Sequence, residues 1–129
     1  MLMDPISDLI IRIQNASRAK KAIVSLPHSN MKEAIAEVLE QEGYLSSIDK
    51  KAKKEGVLSL TLAYKNGAPV VQGVKRISKP SRRLYIGVRD IKPVKRGYGA
   101  VVLSTPAGVM SGKQAKAKNV GGEILFEIW

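Results

Sequence analysis

Ile6, Leu9, Ile10 and Ile13 recur at i, i+3, i+4 and i+7, the spacing of one buried helical face, while Arg12 and Asn15 fall away from its centre. Asp4 stands where an N-cap would, and Pro5 suits a first helical position because its missing N–H is not needed there. Residues 22–26 are short, apolar and stopped by Pro27, which predicts a strand. A second helix starts at Ser29 or Asn30, and Asn30 with Glu33 has capping-box spacing. Met31, Ala34, Ile35, Val38 and Leu39 form its predicted apolar face, and Gly43 ends it. Strands follow at 44–48 and 57–64, the latter with Leu58, Leu60, Leu62 and Tyr64 on one side. Asn66-Gly67 is a turn signal, although Pro69 argues against a minimal two-residue hairpin; the strand pattern resumes at 70–77.

Beyond residue 78 the pattern changes. Pro80, Gly87, Pro93, Gly97 and Gly99 alternate with basic residues, which places a lobe boundary here. Residues 100–104 then read as a buried strand, 106–108 as a turn and 111–118 as a short polar helix. A final strand puts Ile124, Phe126 and Ile128 on one face. The expectation is an α+β protein of two small lobes, an N-terminal α-β-α-β-β-β lobe over 1–78 and a mostly β lobe with one short helix over 79–129.

Composition narrows the chemistry. With 44% hydrophobic residues in 129, the chain can bury a core, and no cysteine is present for disulfides, thiolate nucleophiles or Cys-based zinc sites. No apolar run approaches the ~20 residues of a membrane span, and Asp4, Pro5 and Asp8 interrupt any signal-like start. A soluble, cytoplasmic protein without cofactor or metal is expected. The net charge of +11 is segregated: residues 1–55 hold nine basic against eight acidic residues, and 56–122 hold thirteen basic against Asp90 alone. Such segregation points to a polyanionic partner met mainly by the back lobe.

Catalytic readings lack parts. His28 is the one imidazole, in a turn with no carboxylate near it in sequence, and Glu33, Glu37 and Glu40 read as a solvated helix face. Gly108 to Lys113 has three residues between its glycines where a Walker A loop has four, and Gln114 follows where Ser or Thr would hold magnesium. Gly97-Tyr98-Gly99 begins like a dinucleotide fingerprint, but Val102 stands at the third glycine. No enzyme is predicted.

The binding readings are fuller. Lys75, Arg76, Lys79, Arg82, Arg83, Arg89, Lys92, Lys95 and Arg96 are interleaved with Pro80, Tyr85, Gly87 and Pro93. The cations can pair with phosphates while Tyr85 stacks on a base or bonds a sugar; the alternative is a solvated basic surface. The Lys50–Lys54 run, flanked by Asp49 and Glu55, reads as an ordinary exposed loop. Ser104-Thr105-Pro106-Ala107-Gly108-Val109-Met110 presents small donors at a strand end, able to approach a minor groove closely. Turn chemistry alone would explain the same residues. A DNA-architectural protein or an anionic-membrane binder would share the basic charge, so side-chain chemistry leaves these readings open.

The residues also carry a resemblance. Gly99, Val102-Leu103, Ser104-Thr105, Gly108, Val109-Met110 and Ala115-Lys116 stand at the spacing of a signature of the bacterial small-subunit ribosomal proteins of the eighth family. Asp4-Pro5-Ile6 with Arg12-Ile13 and Asn15-Ala16 resembles that family's N-terminus, Arg83-Leu84-Tyr85 its middle, and Gly121-Gly122-Glu123-Ile124 its C-terminus. The resemblance implies a primary rRNA-binding protein that binds a stem in the central domain of small-subunit rRNA and supports assembly beside neighbouring small-subunit proteins. It implies neither a membrane nor a DNA partner. In several bacteria it also implies repression of the protein's own operon mRNA. Carried onto this chain, the main contacts fall on Ser104, Thr105, Gly108, Val109, Met110, Gly122 and Glu123, joined by Tyr85, Arg83, Arg82 and Lys79; the front lobe adds Asp4, Pro5, Asn15, Ser29 and Lys32. The chain departs from the common pattern at Gln14, Pro106, Ala107 and Gly112, and Pro106 can donate from neither side chain nor backbone.

Overall fold

The computed structural model describes residues 4–129, apart from the side chains of Ala52 and Arg96. The chain forms two compact units, the first ending at Gln72 and the second running from Gly73 to Trp129. The observed class is α+β, as the periodicities predict.

In the first unit, α1 (Pro5–Arg18) is capped by the Asp4 carboxylate, which accepts from the Ile6 N–H at 3.0 Å. It buries Ile6, Leu9, Ile10 and Ile13. β1 (Ile23–Pro27), β2 (Leu45–Asp49) and β3 (Val57–Leu62) form an antiparallel sheet in the order β1-β3-β2, with Val24, Leu26, Leu58, Leu60 and Leu62 buried. α2 (Asn30–Gln41) takes the first of its two expected starts: Ser29 is the cap, its Oγ accepting from the Lys32 N–H at 3.1 Å, which leaves Asn30 inside the helix and its capping box with Glu33 unformed. Its buried stripe runs through Lys32, Ile35, Ala36, Val38 and Leu39, so Ile35, Val38 and Leu39 lie inward as predicted, and Met31 is exposed. The stripe is headed by a lysine, which apolar periodicity cannot reveal.

β4 (Tyr64–Lys65) and β5 (Ala68–Pro69) close a two-residue hairpin around Asn66 and Gly67, both at positive φ, contrary to the warning from Pro69. Pro69 lies at the edge of a two-stranded ribbon, where no third strand needs a donor from that position and the missing N–H costs nothing. Tyr64, expected inward, is exposed, and its hydroxyl donates to the Lys21 carbonyl at 2.9 Å.

The second unit contains β6 (Val74–Arg76), β7 (Tyr85–Ile86), β8 (Ala100–Thr105), β9 (Gly108–Ser111), α3 (Gly112–Ala117) and β10 (Gly122–Ile128). The sheet order is β6-β10-β8-β9, and β7 also pairs with β10. Only part of the predicted 70–77 strand forms, and β6 pairs with β10 rather than with the front sheet. Paired backbone bonds between Gly73 and Trp129, each 3.0 Å, fix this placement, and the Trp129 indole fills the space a Gly73 Cβ would need. β9 is also absent from the sequence-based expectation, which has one turn between β8 and the helix; it pairs with β8 from Val102–Ser111 to Thr105–Gly108. α3 opens on a capping box in which Ser111 Oγ accepts from the Gln114 N–H at 3.2 Å and Gln114 Oε1 from the Ser111 N–H at 3.1 Å.

Ile91, Leu103, Met110 and Ala115 form a core on one side of this sheet, joined by Ile86, Val101, Val120 and Ile124. β10 is bulged: Ile124 pairs with Leu103 and Phe126 with Val102, neighbours on β8, so Leu125 is an extra residue. The bulge corrects the prediction that Ile124, Phe126 and Ile128 share a face. Ile124 shares the face of Leu103, and Phe126 that of Val102.

Candidate nucleic-acid interface

Four of the predicted residues meet in one row. Glu123 on β10 lies opposite Ser104 on β8 and Tyr85 on β7, and Ser104 lies opposite Val109 on β9. Directly paired residues of neighbouring strands share a face, so Val109, Ser104, Glu123 and Tyr85 run side by side across the sheet. Their face is the one turned away from Leu103, Met110 and Ile124. Tyr85 is 70% exposed, and the other three are half-buried.

Glu123 is held by a residue that sequence reading treats only as a boundary. Ser78, fully buried, donates from Oγ to Glu123 Oε2 at 2.7 Å and accepts there from the Leu84 N–H at 3.0 Å. Arg76 Nε donates to the Ser78 carbonyl. Leu84 in turn accepts from the Ile124 N–H at 2.9 Å, and Lys79 and Arg82 bond each other's backbones at 3.0 and 2.9 Å. This tight turn displays Lys79, Arg82 and Arg83 to solvent beside β7. A lone serine after an apolar stretch is too common a pattern to have marked Ser78 as the hinge of the arrangement.

Gly121 and Gly122 let the strands close here. A Cβ at Gly121 would run into the Ile86 carbonyl oxygen, and one at Gly122 into that of Ser104. The adjacent turn is built by Thr105, whose Oγ1 donates to the Gly108 carbonyl at 2.8 Å and accepts from the Ala107 N–H at 3.1 Å. Pro106, Ala107 and Gly108 are exposed, and Gly108 has φ of 118°. Thr105 therefore shapes the loop. Ser104 makes no hydroxyl hydrogen bond among the described residues, which leaves it to donate outward. Met110 is buried in the α3-side core and supports β9 from behind.

In the first unit, Pro5 and Asn15 are exposed, whereas Asp4 and Ser29 spend their side chains on helix caps. Lys32 is buried: its Nζ donates to Asp8 Oδ2 and to the Pro27 carbonyl, both at 3.0 Å. Arg12 Nε donates to the other Asp8 oxygen at 2.8 Å, and Arg12 Nη1 to the Ser25 carbonyl at 3.1 Å. The Arg12 hydrogen bond, aided by Lys32, holds the Asp8 carboxyl below its ordinary value of 3.8 against the opposing effect of burial. A shallow groove beside this network is lined by Arg12, Asn15, Lys21, Ile23 and Ser25. His28 does have a carboxylate nearby, contrary to the sequence-based reading: Glu33 Oε1 lies 3.5 Å from its Nε2. Glu33 also takes Lys53 at 3.3 Å, and that contact more than His28 depresses its pKa.

Comparison with known proteins agrees with the motif blocks. The family model described as Ribosomal protein S8 matches residues 4–129. The small ribosomal subunit protein uS8 of Nitratidesulfovibrio vulgaris is 50% identical over 129 residues, covering all of both chains. That of Oleidesulfovibrio alaskensis is 49% identical over 129 residues, again covering all of both. The counterpart from Mycoplasmopsis synoviae is 46% identical over 130 residues, covering 99% of this chain and 98% of its own.

Proposed function

Because the chain belongs to the ribosomal protein S8 family and is thus a structural constituent of the small ribosomal subunit, we propose that it acts there as a primary rRNA-binding protein. Its target is a stem in the central domain of small-subunit rRNA, which it holds while the subunit assembles beside neighbouring ribosomal proteins. The observation that carries this reading is the row Val109–Ser104–Glu123–Tyr85, partly exposed across the end of the sheet, next to the exposed cations of the 79–83 turn.

The roles follow from chemistry. Lys79, Arg82 and Arg83 pair with phosphates and set register without reading sequence. Ser104 and Glu123 meet 2′-hydroxyls and base edges in a wide, shallow minor groove, and Tyr85 stacks or bonds a sugar. Glu123 can face RNA because Ser78 donates to one oxygen, leaving the second to accept from a 2′-OH or a base amino group. Thr105, Gly108 and Gly122 give the backbone its close approach, with Met110 behind them. On the first unit Pro5 and Asn15 contact the RNA backbone directly. Asp4, Ser29 and Lys32 act through the helix ends and the Asp8–Arg12 network they fix. The same row would hold an operon mRNA that copies the rRNA stem, and repression through it would rest on Ser104 and Glu123 because Pro106 offers no donor.

A gel-shift titration of the central-domain stem against an unrelated duplex, repeated across salt, tests the assignment. The stem is expected to bind more tightly at every salt concentration, and Ser104→Ala to shrink that preference while leaving the salt slope in place. Equal binding of the two RNAs throughout would sink the reading.

A further inference from the structure

The sheet of the first unit ends at β1, which has β3 on one side and, among the described residues, no strand on the other. The Ala22 carbonyl accepts from the Leu62 N–H and the His28 N–H donates to the Gly56 carbonyl, both at 2.8 Å. Antiparallel ladders alternate, so these bonds and the register fix positions 22, 24, 26 and 28 as the ones that bond β3. The backbone groups of Ile23, Ser25 and Pro27 therefore point outward. Two of their three carbonyls are held by cations from the helices: Arg12 Nη1 donates to that of Ser25 at 3.1 Å, and Lys32 Nζ to that of Pro27 at 3.0 Å. Both cations are tied to Asp8, one to each carboxylate oxygen, at 2.8 and 3.0 Å. A shallow groove lined by Ile23, Ser25, Arg12 and Asn15 opens beside this edge, and the Ile23 side chain is 62% exposed.

We infer that the outer edge of β1 is a self-pairing surface for a second copy of this chain, locked in the monomer by Arg12 and Lys32 through Asp8. A row of outward strand N–H and C=O groups is a template for another strand, and this row is self-complementary. Two copies of β1 laid antiparallel about Ser25 set each Ser25 opposite the other and each Ile23 opposite Pro27 of the second copy. The two Ser25 residues then exchange both of their bonds, and each Ile23 N–H donates to the opposite Pro27 carbonyl. Pro27 has no N–H to return. The acceptors of that register are thus the Ser25 and Pro27 carbonyls, the same groups that Arg12 and Lys32 hold. The register also lays the exposed Ile23 side chain against the exposed Pro27. Two cations clamped across the edge deny a second strand both its acceptors and its room, and the unassembled chain stays single.

Sedimentation equilibrium of the full chain, without RNA and from micromolar to submillimolar concentration, tests the lock. Wild type should hold the monomer mass throughout. So should Arg18→Ala, which removes an equal charge from the exposed end of α1. Arg12→Ala should rise toward twice the monomer mass as concentration increases. Two further changes separate pairing from loosened folding. Ser25→Pro removes an N–H that β3 does not use, and Ser25→Lys sets like charges directly opposite each other in the paired register. Neither restores the Arg12 contacts, yet each, combined with Arg12→Ala, should return the protein to the monomer, and Ser25→Lys should do so with its circular dichroism unchanged. A monomeric Arg12→Ala at every concentration would overturn the lock, as would a wild type that associates equally. Association of Arg12→Ala that Ser25→Lys leaves undiminished would overturn the β1 edge as the surface.

Discussion

Glu123 brings a negative charge to a face assigned to RNA, and its tolerance there depends on Ser78. One buried hydroxyl joins the Glu123 carboxylate to the Leu84 N–H. Ser78→Ala would orphan that N–H and free the carboxylate, at an expected cost of about 1–3 kcal/mol in urea unfolding together with reduced discrimination between stem and unrelated duplex. A loss of discrimination without a loss of stability would show that Ser78 does not brace the row. Asp8 offers a second residue-scale prediction. Its folded pKa is depressed, so its contribution to stability is present above the ordinary value of 3.8 and is lost as pH falls through the lower folded value. Asp8→Asn should therefore be less stable than wild type at about pH 7, with the gap closing in acid below roughly pH 4. A constant gap in urea midpoints across that range would refute the linkage.

Among the elements, the β8–β9 hairpin separates shape from recognition most cleanly. Thr105 makes both of its hydroxyl bonds inside the turn. Thr105→Ser, which keeps them, should bind the stem as wild type does, and Thr105→Val should lose roughly 1 kcal/mol of stability and some affinity through a loosened loop. If Thr105→Ser already loses affinity, the methyl group itself touches RNA. These elements also show what a sequence can disclose. α1 was legible to its cap because Asp4, Pro5 and the Ile-Leu stripe obey local rules. The predicted face of α2 holds at Ile35, Val38 and Leu39 but not at its start, where Lys32 is buried and Met31 exposed, because the acceptors of Lys32, Asp8 and Pro27, come from other elements. β9 and the β6–β10 pairing escaped for a related reason: strand pairing is settled by partners distant in sequence. Ser104, Glu123 and Tyr85 were each named from motif blocks, but their alignment in one row is a product of register, which no local pattern encodes.

Across the whole molecule, residues 56–122 carry +12, and on the proposed reading this charge sets the strength and salt dependence of RNA binding while the row sets the site. Arg83 is exposed beside β7, so Arg83→Ala should weaken stem and unrelated duplex alike and reduce the slope of log K against log salt by roughly one unit. A fall in preference with the slope unchanged would move Arg83 from phosphate positioning to base reading. The same view gives the β10 bulge a meaning in chain length. β10 spends one residue more than β8 to cover the same span, so the strand holds a spare step. Deleting one residue between Glu123 and Phe126 would take up the bulge and still leave Glu123 facing Ser104 and Phe126 facing Val102, with one buried aliphatic side chain lost. β8 has no such reserve, and a deletion between Val102 and Ser104 would turn the recognition hydroxyl toward the core. Related chains can therefore shed a residue from the last strand and keep the site, but the strand beside it must keep its count.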